Sequence, residues 1–245
     1  MCKCVFCIGG NQIDNVSSFS HLGHVINSRL DDSEDVLFRR NSFVSQVNNV
    51  LCFFGKLDSF VKTKLFKAYC TSMYGCELWT LADPSVEQFC IAWRKALRRI
   101  LDLPHNCHSY LLPLVTDTLP VFDEICKRSA RFIVSCVDRG SALVRSIVRY
   151  GLTVARYNSF IGSNALFCCD RYKWSLDDLL RSNINLSNFT FASTHHNLIT
   201  DKMKQTALFL YEMLCIREGI FEFCHDRNFL TRSQLSRRDY CFPSL

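Results

Sequence analysis

No long apolar run free of charge interrupts this chain of 245 residues, which excludes the simplest membrane-spanning architecture. The longest stretch without Asp, Glu, Lys or Arg is 182–200, and Ser, Thr, Asn and His dominate it, so it reads as a polar connector. A cationic and apolar leader is also missing, and an intracellular location, cytoplasm or nucleus, is the expectation. In that setting the Asn-x-Ser/Thr matches at Asn15 and Asn188 are chance occurrences. The 15 cysteines, about 6% of the chain, fall short of the roughly 8–10% of a disulfide scaffold and read as mostly reduced thiols.

Chemistry-bearing patterns are equally scarce. No Gly-rich phosphate loop, nucleophile–base–orienter set or pair of catalytic carboxylates emerges from the spacing. Cys2, Cys4 and Cys7 cluster, as do Cys168 with Cys169, His195 with His196 and Cys224 with His225. None of these groups has the paired ligand spacing of a structural zinc site, so no metal or other cofactor is expected. The adjacent pairs Asp31–Asp32 and Asp177–Asp178 sit where helices start and read as caps.

What is present is helical periodicity and unevenly placed positive charge. The first thirty residues read as strands: CVFCI, a turn at Gly9, Gly10 and Asn11, QIDNV, and an extended segment over 19–26. From Asp32 the period becomes helical, with Val36, Phe43, Val47, Val50, Leu51 and Phe54 on one side up to Gly55. A second helix follows from Ser59, carrying Val61, Leu65, Phe66, Tyr69, Cys70 and Met73 as far as Gly75. Asp83 followed by Pro84 is a strong start signal for a third, and Pro104 ends it. Val86, Phe89, Cys90, Trp93, Leu97, Ile100 and Leu101 fall within about 120° of arc, opposite Arg94, Lys95, Arg98 and Arg99. Further helical patterns cover 111–115, 122–137, 142–150, 164–169 and 201–218, before a polar, basic tail at 227–245. Lys127, Arg128, Arg131, Arg139, Arg145, Arg149 and Arg156 stand against Asp138 alone within thirty residues, which favours a polyanionic partner.

Three blocks occur in a specific order: SFSHLGHVI at 18–26, KLFKAYCTSMYGCELW at 64–79 and AWRKALRRILDLPHNCHSYLLPLV at 92–115, with RFIVSCVDRGSALVRSIVRYG at 131–151 as a weaker fourth. Together they resemble the region after the catalytic palm in LINE-type, jockey-like non-LTR retrotransposon reverse transcriptases, over roughly the first 150 residues. The resemblance implies a mainly α fold: a palm-end β-hairpin at 1–30, a thumb-like helical bundle at 31–103, a basic helical region at 104–181, and a connector, helix and basic tail at 182–245. It implies that Arg94, Lys95, Arg98 and Arg99, with Arg145 and Arg149, meet the phosphate backbone of duplex or structured RNA or an RNA–DNA hybrid. Gly23 either allows close backbone approach to the primer terminus or simply bends a hairpin. Tyr74, Gly75, Glu77 and Trp79 suit a helix–helix corner, and His21, His24, His105 and His108 suit structural imidazoles.

The family holds its two metals with an aromatic-Ala-Asp-Asp hairpin and an earlier palm strand, and this sequence contains neither. The expectation is therefore no catalysis, with nucleic-acid binding as the retained capacity. The alternative is a retroelement remnant without selected activity, or a helical protein-interaction module that self-associates through exposed palm-end surface.

Overall fold

The computed structural model describes residues 6–9, 11–13, 16–116 and 118–180; the helix expected at 201–218 and the tail at 227–245 lie outside them. Two short antiparallel hairpins open the chain: β1 (Phe6–Ile8) with β2 (Asn11–Ile13), and β3 (Ser18–His21) with β4 (His24–Asn27). The segment 19–26 is therefore not one extended strand. Leu22 (φ 48°) and Gly23 (φ 79°) both take left-handed backbone, the geometry of a tight turn whose twist matches the flanking strands, and His21 pairs with His24.

Mainly helical structure follows. The helix α1 (Ser33–Phe54) buries Val36, Phe43, Val47 and Val50, and packs on both α2 (Ser59–Tyr69) and α3 (Pro84–Ile100). Asp58 caps α2 by accepting from Val61 N–H at 2.8 Å, and Asp83 caps α3 by accepting from Ser85 N–H at 2.8 Å. Beyond them come α4 (Leu111–Thr116), α5 (Val121–Arg139), α6 (Ala142–Thr153), α7 (Phe160–Tyr172) and α8 (Leu176–Leu180).

Two expectations need correction. The second helix stops at Tyr69 instead of running to Gly75: Cys70 N–H makes the last bond, to the Phe66 carbonyl, and the chain then turns through Met73 (φ 39°) and Gly75 (φ 83°) into a 3-10 turn at Cys76–Leu78. Tyr69 is exposed, whereas Lys62 on the same helix is buried. The aspartate pair before α1 also divides its labour. Asp31 Oδ1 accepts from Ser33 N–H at 3.1 Å and from Asn27 Nδ2 at 2.9 Å, while Asp32 makes no side-chain cap and accepts from Thr80 N–H at 2.7 Å.

The main core is aromatic. Trp93 stacks on Phe43 with ring centroids 4.9 Å apart and meets Phe66 edge-on at 5.1 Å, while Phe89 meets Trp79 edge-on at 5.3 Å. A second cluster joins Ile133 and Val137 of α5 to Val148 and Leu152 of α6, Ala165 of α7 and Leu179 of α8. Asn164, buried on α7, ties the 79–81 corner to α5: it accepts from Leu81 N–H at 2.9 Å and donates to the Trp79 carbonyl at 2.8 Å and to Ser129 Oγ at 3.3 Å.

Candidate nucleic-acid interface

The aromatic core fixes the rotation of α3, because Val86, Phe89, Cys90, Trp93, Leu97 and Ile100 are all buried on one side. That orientation turns Arg94, Lys95, Arg98 and Arg99 away from the centre, but the four cations are not equivalent. Arg94 Nη2 pairs with Glu87 Oε1 at 2.6 Å, two turns earlier on the same helix, so part of its charge is neutralised. Arg98 donates from Nε and Nη2 to the Cys107 carbonyl at 3.0 and 2.8 Å and from Nη2 to Ser109 Oγ at 2.8 Å, holding the loop after Pro104 against the helix. Arg99 Nη1 donates to Asn48 Oδ1 of α1 at 3.0 Å. Arg98 and Arg99 thus meet neutral acceptors: their donors are partly engaged and their full charges remain. Lys95 is exposed and has no ion pair among the described residues.

On α6, Arg145 and Arg149 are exposed and likewise have no ion pair among the described residues. No Asp or Glu occurs between Asp138 and Asp170, so nothing in that stretch of sequence offsets them. Between α3 and α6 lies α5, which packs on both. Two of its neighbouring cations are structural. Arg128 donates to the Ser72 carbonyl at 2.7 Å and to Glu124 at 3.1 Å; Arg171 of α7 and the Tyr172 hydroxyl converge on Asp123 Oδ1, with Arg171 Nη2 at 2.9 Å and Tyr172 OH at 2.6 Å. Burial pushes the Tyr172 phenol well above its ordinary value, which keeps it a donor to that carboxylate.

Gly23 stands apart from these six cations. It occupies the tip of the β3–β4 turn, where its carbonyl accepts from the Arg39 guanidinium and a Cβ would lie 3.5 Å from the Tyr74 ring. The neighbouring Leu22 carbonyl accepts from the Tyr74 hydroxyl at 3.1 Å. Gly23 thus forms the bend of an antiparallel hairpin.

This turn covers a buried carboxylate that sequence reading missed. Asp35, fully buried near the start of α1, accepts from Val25 N–H at 2.9 Å and from Trp79 Nε1 at 2.8 Å; His24 Nδ1 lies 3.2 Å away and Arg39 Nε 3.8 Å away. The blocks at 18–26 and 64–79 therefore meet in space around α1, and Tyr74 and Trp79 serve the corner itself. A buried tryptophan N–H needs an acceptor, the one signal that pointed to a polar partner here, though not to which residue supplies it. His108 stacks on Tyr110 with centroids 5.3 Å apart, while His21 and His105 are exposed.

Beside Arg94 a cleft of about 60 Å³ opens between Trp93, Leu97, Leu112, Pro113, Pro120 and Phe122. It is smaller than the roughly 150 Å³ enclosed cavity that accepts benzene. Among the described residues no group of three or more His, Cys, Asp or Glu could hold a metal ion, and no helix is long and apolar enough to cross a membrane. Searches of protein-family models, curated proteins and solved structures find no match to this chain.

Proposed function

We propose that this chain is a catalytically inactive helical module, akin to the region after the palm in non-LTR retrotransposon RNA-directed DNA polymerases, that holds nucleic acid through its sugar–phosphate backbone. The observation that supports it is the set Lys95, Arg98, Arg99, Arg145 and Arg149: five cations on well-packed helices, none paired with an acid among the described residues. Point charges on rigid rods suit phosphate contacts and carry no base-specific information. Arg94, engaged by Glu87, contributes least.

The test is the salt dependence of binding to a short RNA–DNA hybrid. With five phosphate contacts, the logarithm of affinity falls against log salt with a slope near −4.5, and each alanine substitution among the five removes about 0.9 of it. A flat response, or a slope unchanged in the fivefold alanine variant, overturns the reading.

The second reading is association of copies through the hairpin side of the molecule, where Phe19, Leu22, Leu37 and Phe38 are exposed. Sedimentation of the protein across a concentration series decides it, since a single monomeric species at all concentrations removes its basis.

A further inference from the structure

The exposed side of α6 carries two different edges. At 100° per residue, Leu143, Ile147, Tyr150 and Val154 fall within about 60° of arc, at the spacing of four, three and four that brings side chains onto one line. All four project into solvent: Leu143 is 69% exposed and Val154 70%. Arg145 and Arg149 form the other edge, more than 100° round the helix. The helix does not turn its apolar line inward because its remaining side is already committed. Val148, Gly151 and Leu152 are buried, and the Gly151 carbonyl accepts from Ser159 Oγ at 3.1 Å.

Ser146 and Thr153 lie between the two edges. Their hydroxyls are satisfied within the helix, Ser146 Oγ donating to the Ala142 carbonyl at 2.9 Å and Thr153 Oγ1 to the Arg149 carbonyl at 2.7 Å. The strip between the edges is thus formed by short side chains whose donors are already used, a surface that another backbone can approach closely.

We propose that this face of α6 is a docking site for an amphipathic helix of a partner protein, apolar along one flank and acidic along the other. Charge complementarity selects the acidic flank: Arg145 and Arg149 are exposed along one edge with no ion pair among the described residues, and no acid occurs in the sequence from 139 to 169. A second copy of this chain docking through the same face would oppose arginines with arginines. A bilayer contacted through the apolar line would leave Arg145 and Arg149 pointing away from the headgroups, and a nucleic-acid backbone offers nothing to Leu143 or Ile147. A helix lying along Ser146 and Thr153 meets both edges at once. With α6 about 18 Å long, the matching partner segment is about three turns.

The inference shares Arg145 and Arg149 with the nucleic-acid reading but rests on the apolar line of Leu143, Ile147, Tyr150 and Val154, which that reading does not use, and one experiment separates the two. The full-length protein is titrated, by fluorescence anisotropy, into a stapled helical peptide with Leu at the four-three-four spacing on one flank and Glu on the next. The same peptide with Lys for Glu, vesicles rich in anionic phospholipid, and a short RNA–DNA hybrid are measured in parallel. The expected result is that the Glu peptide binds, the Lys peptide binds at least about tenfold more weakly, and Ile147→Ser or Leu143→Ser weakens the Glu peptide by about tenfold or more while leaving the hybrid unchanged, since neither substitution alters charge. Both substituted positions are exposed, so an unaltered melting temperature shows that the fold survives. Equal binding of the two peptides, no binding of either, or an unaffected Ile147→Ser variant overturns the proposal. Loss of vesicle or hybrid binding in the Ile147→Ser variant overturns it in favour of a lipid or nucleic-acid surface.

Discussion

Trp79 Nε1 donates to Asp35 Oδ2 over 2.8 Å, joining residues 44 positions apart at a point closed to solvent. The same carboxylate accepts from Val25 N–H, so one side chain fastens the β3–β4 hairpin, the first helix and the 76–79 corner together. Removing it strands two buried donors. Asp35→Ala is expected to lower unfolding free energy by about 3–5 kcal/mol, and Trp79→Phe, which leaves the carboxylate its other donors, by about 1–3 kcal/mol. In urea titrations the double variant should cost less than the two single effects combined. A loss of no more than about 0.5 kcal/mol for Asp35→Ala would show that the junction is not what holds these elements.

Lys62 is 2% exposed and places Nζ 2.5 Å from Asp102 Oδ2, on a residue that remains about half in water. Cutting the acid leaves an ammonium buried without this partner, whereas replacing the lysine by an apolar chain of similar length removes the need for it. Asp102→Ala is expected to cost about 1–3 kcal/mol, reduced from the fully buried case by the solvent around Asp102, and Lys62→Met to stay within about 1 kcal/mol of the parent. The reverse order of stabilities in urea unfolding would contradict this account of the pair.

Asp31 titrates at about 2 instead of the ordinary 3.8, chiefly because the Ser33 hydroxyl and then the Asn27 amide donate to its charged form. A lowered folded-state value means that the contribution to stability is complete above the ordinary value and is lost as pH falls from about 4 through about 2. The Asp31→Asn variant should therefore melt at a lower temperature than the parent at pH 6, and the gap should close toward pH 2. A gap of constant size across that range would remove the assignment.

The buried thiols should be chemically quiet. Burial pushes Cys76 and Cys90 up to about 12 and Cys70 to about 11, and a hydrogen bond with Cys126, together with burial, moves Cys168 further in the same direction. In contrast Cys52 and Cys7 are exposed. Site-resolved alkylation at pH 8 should modify Cys52 and Cys7 before Cys76, Cys90 and Cys168, which react only as the protein unfolds. Early modification of Cys90 would mean that the core around Trp93 opens readily.

The parts legible in the sequence were those governed by neighbours along the chain. Asp83 before Pro84 started a helix because capping and proline act within one turn, and the side of α3 that holds Trp93 was set by periodicity alone. The charged side was legible only as a direction. Nothing local says that Arg98 closes onto a carbonyl nine residues later while Lys95 stays unpaired. Asp32 looked like a cap and instead accepts from Thr80, 48 residues away, and Lys62 sat on a face that pattern alone would leave wet. Such assignments depend on which distant donor or acceptor the packed core delivers, and a one-dimensional period contains no information on that.

The turn at Leu22 and Gly23 has a practical corollary for dissecting the molecule. Because Arg39 and Tyr74 both anchor on carbonyls of that turn, and Val25 supplies a proton donor to the heart of the bundle, a version trimmed back to residue 31 would keep its helices but lose the lid over Asp35. A piece that keeps this closure must begin before Ser18, and any homologue that shortens its leading strands must replace that carboxylate as well.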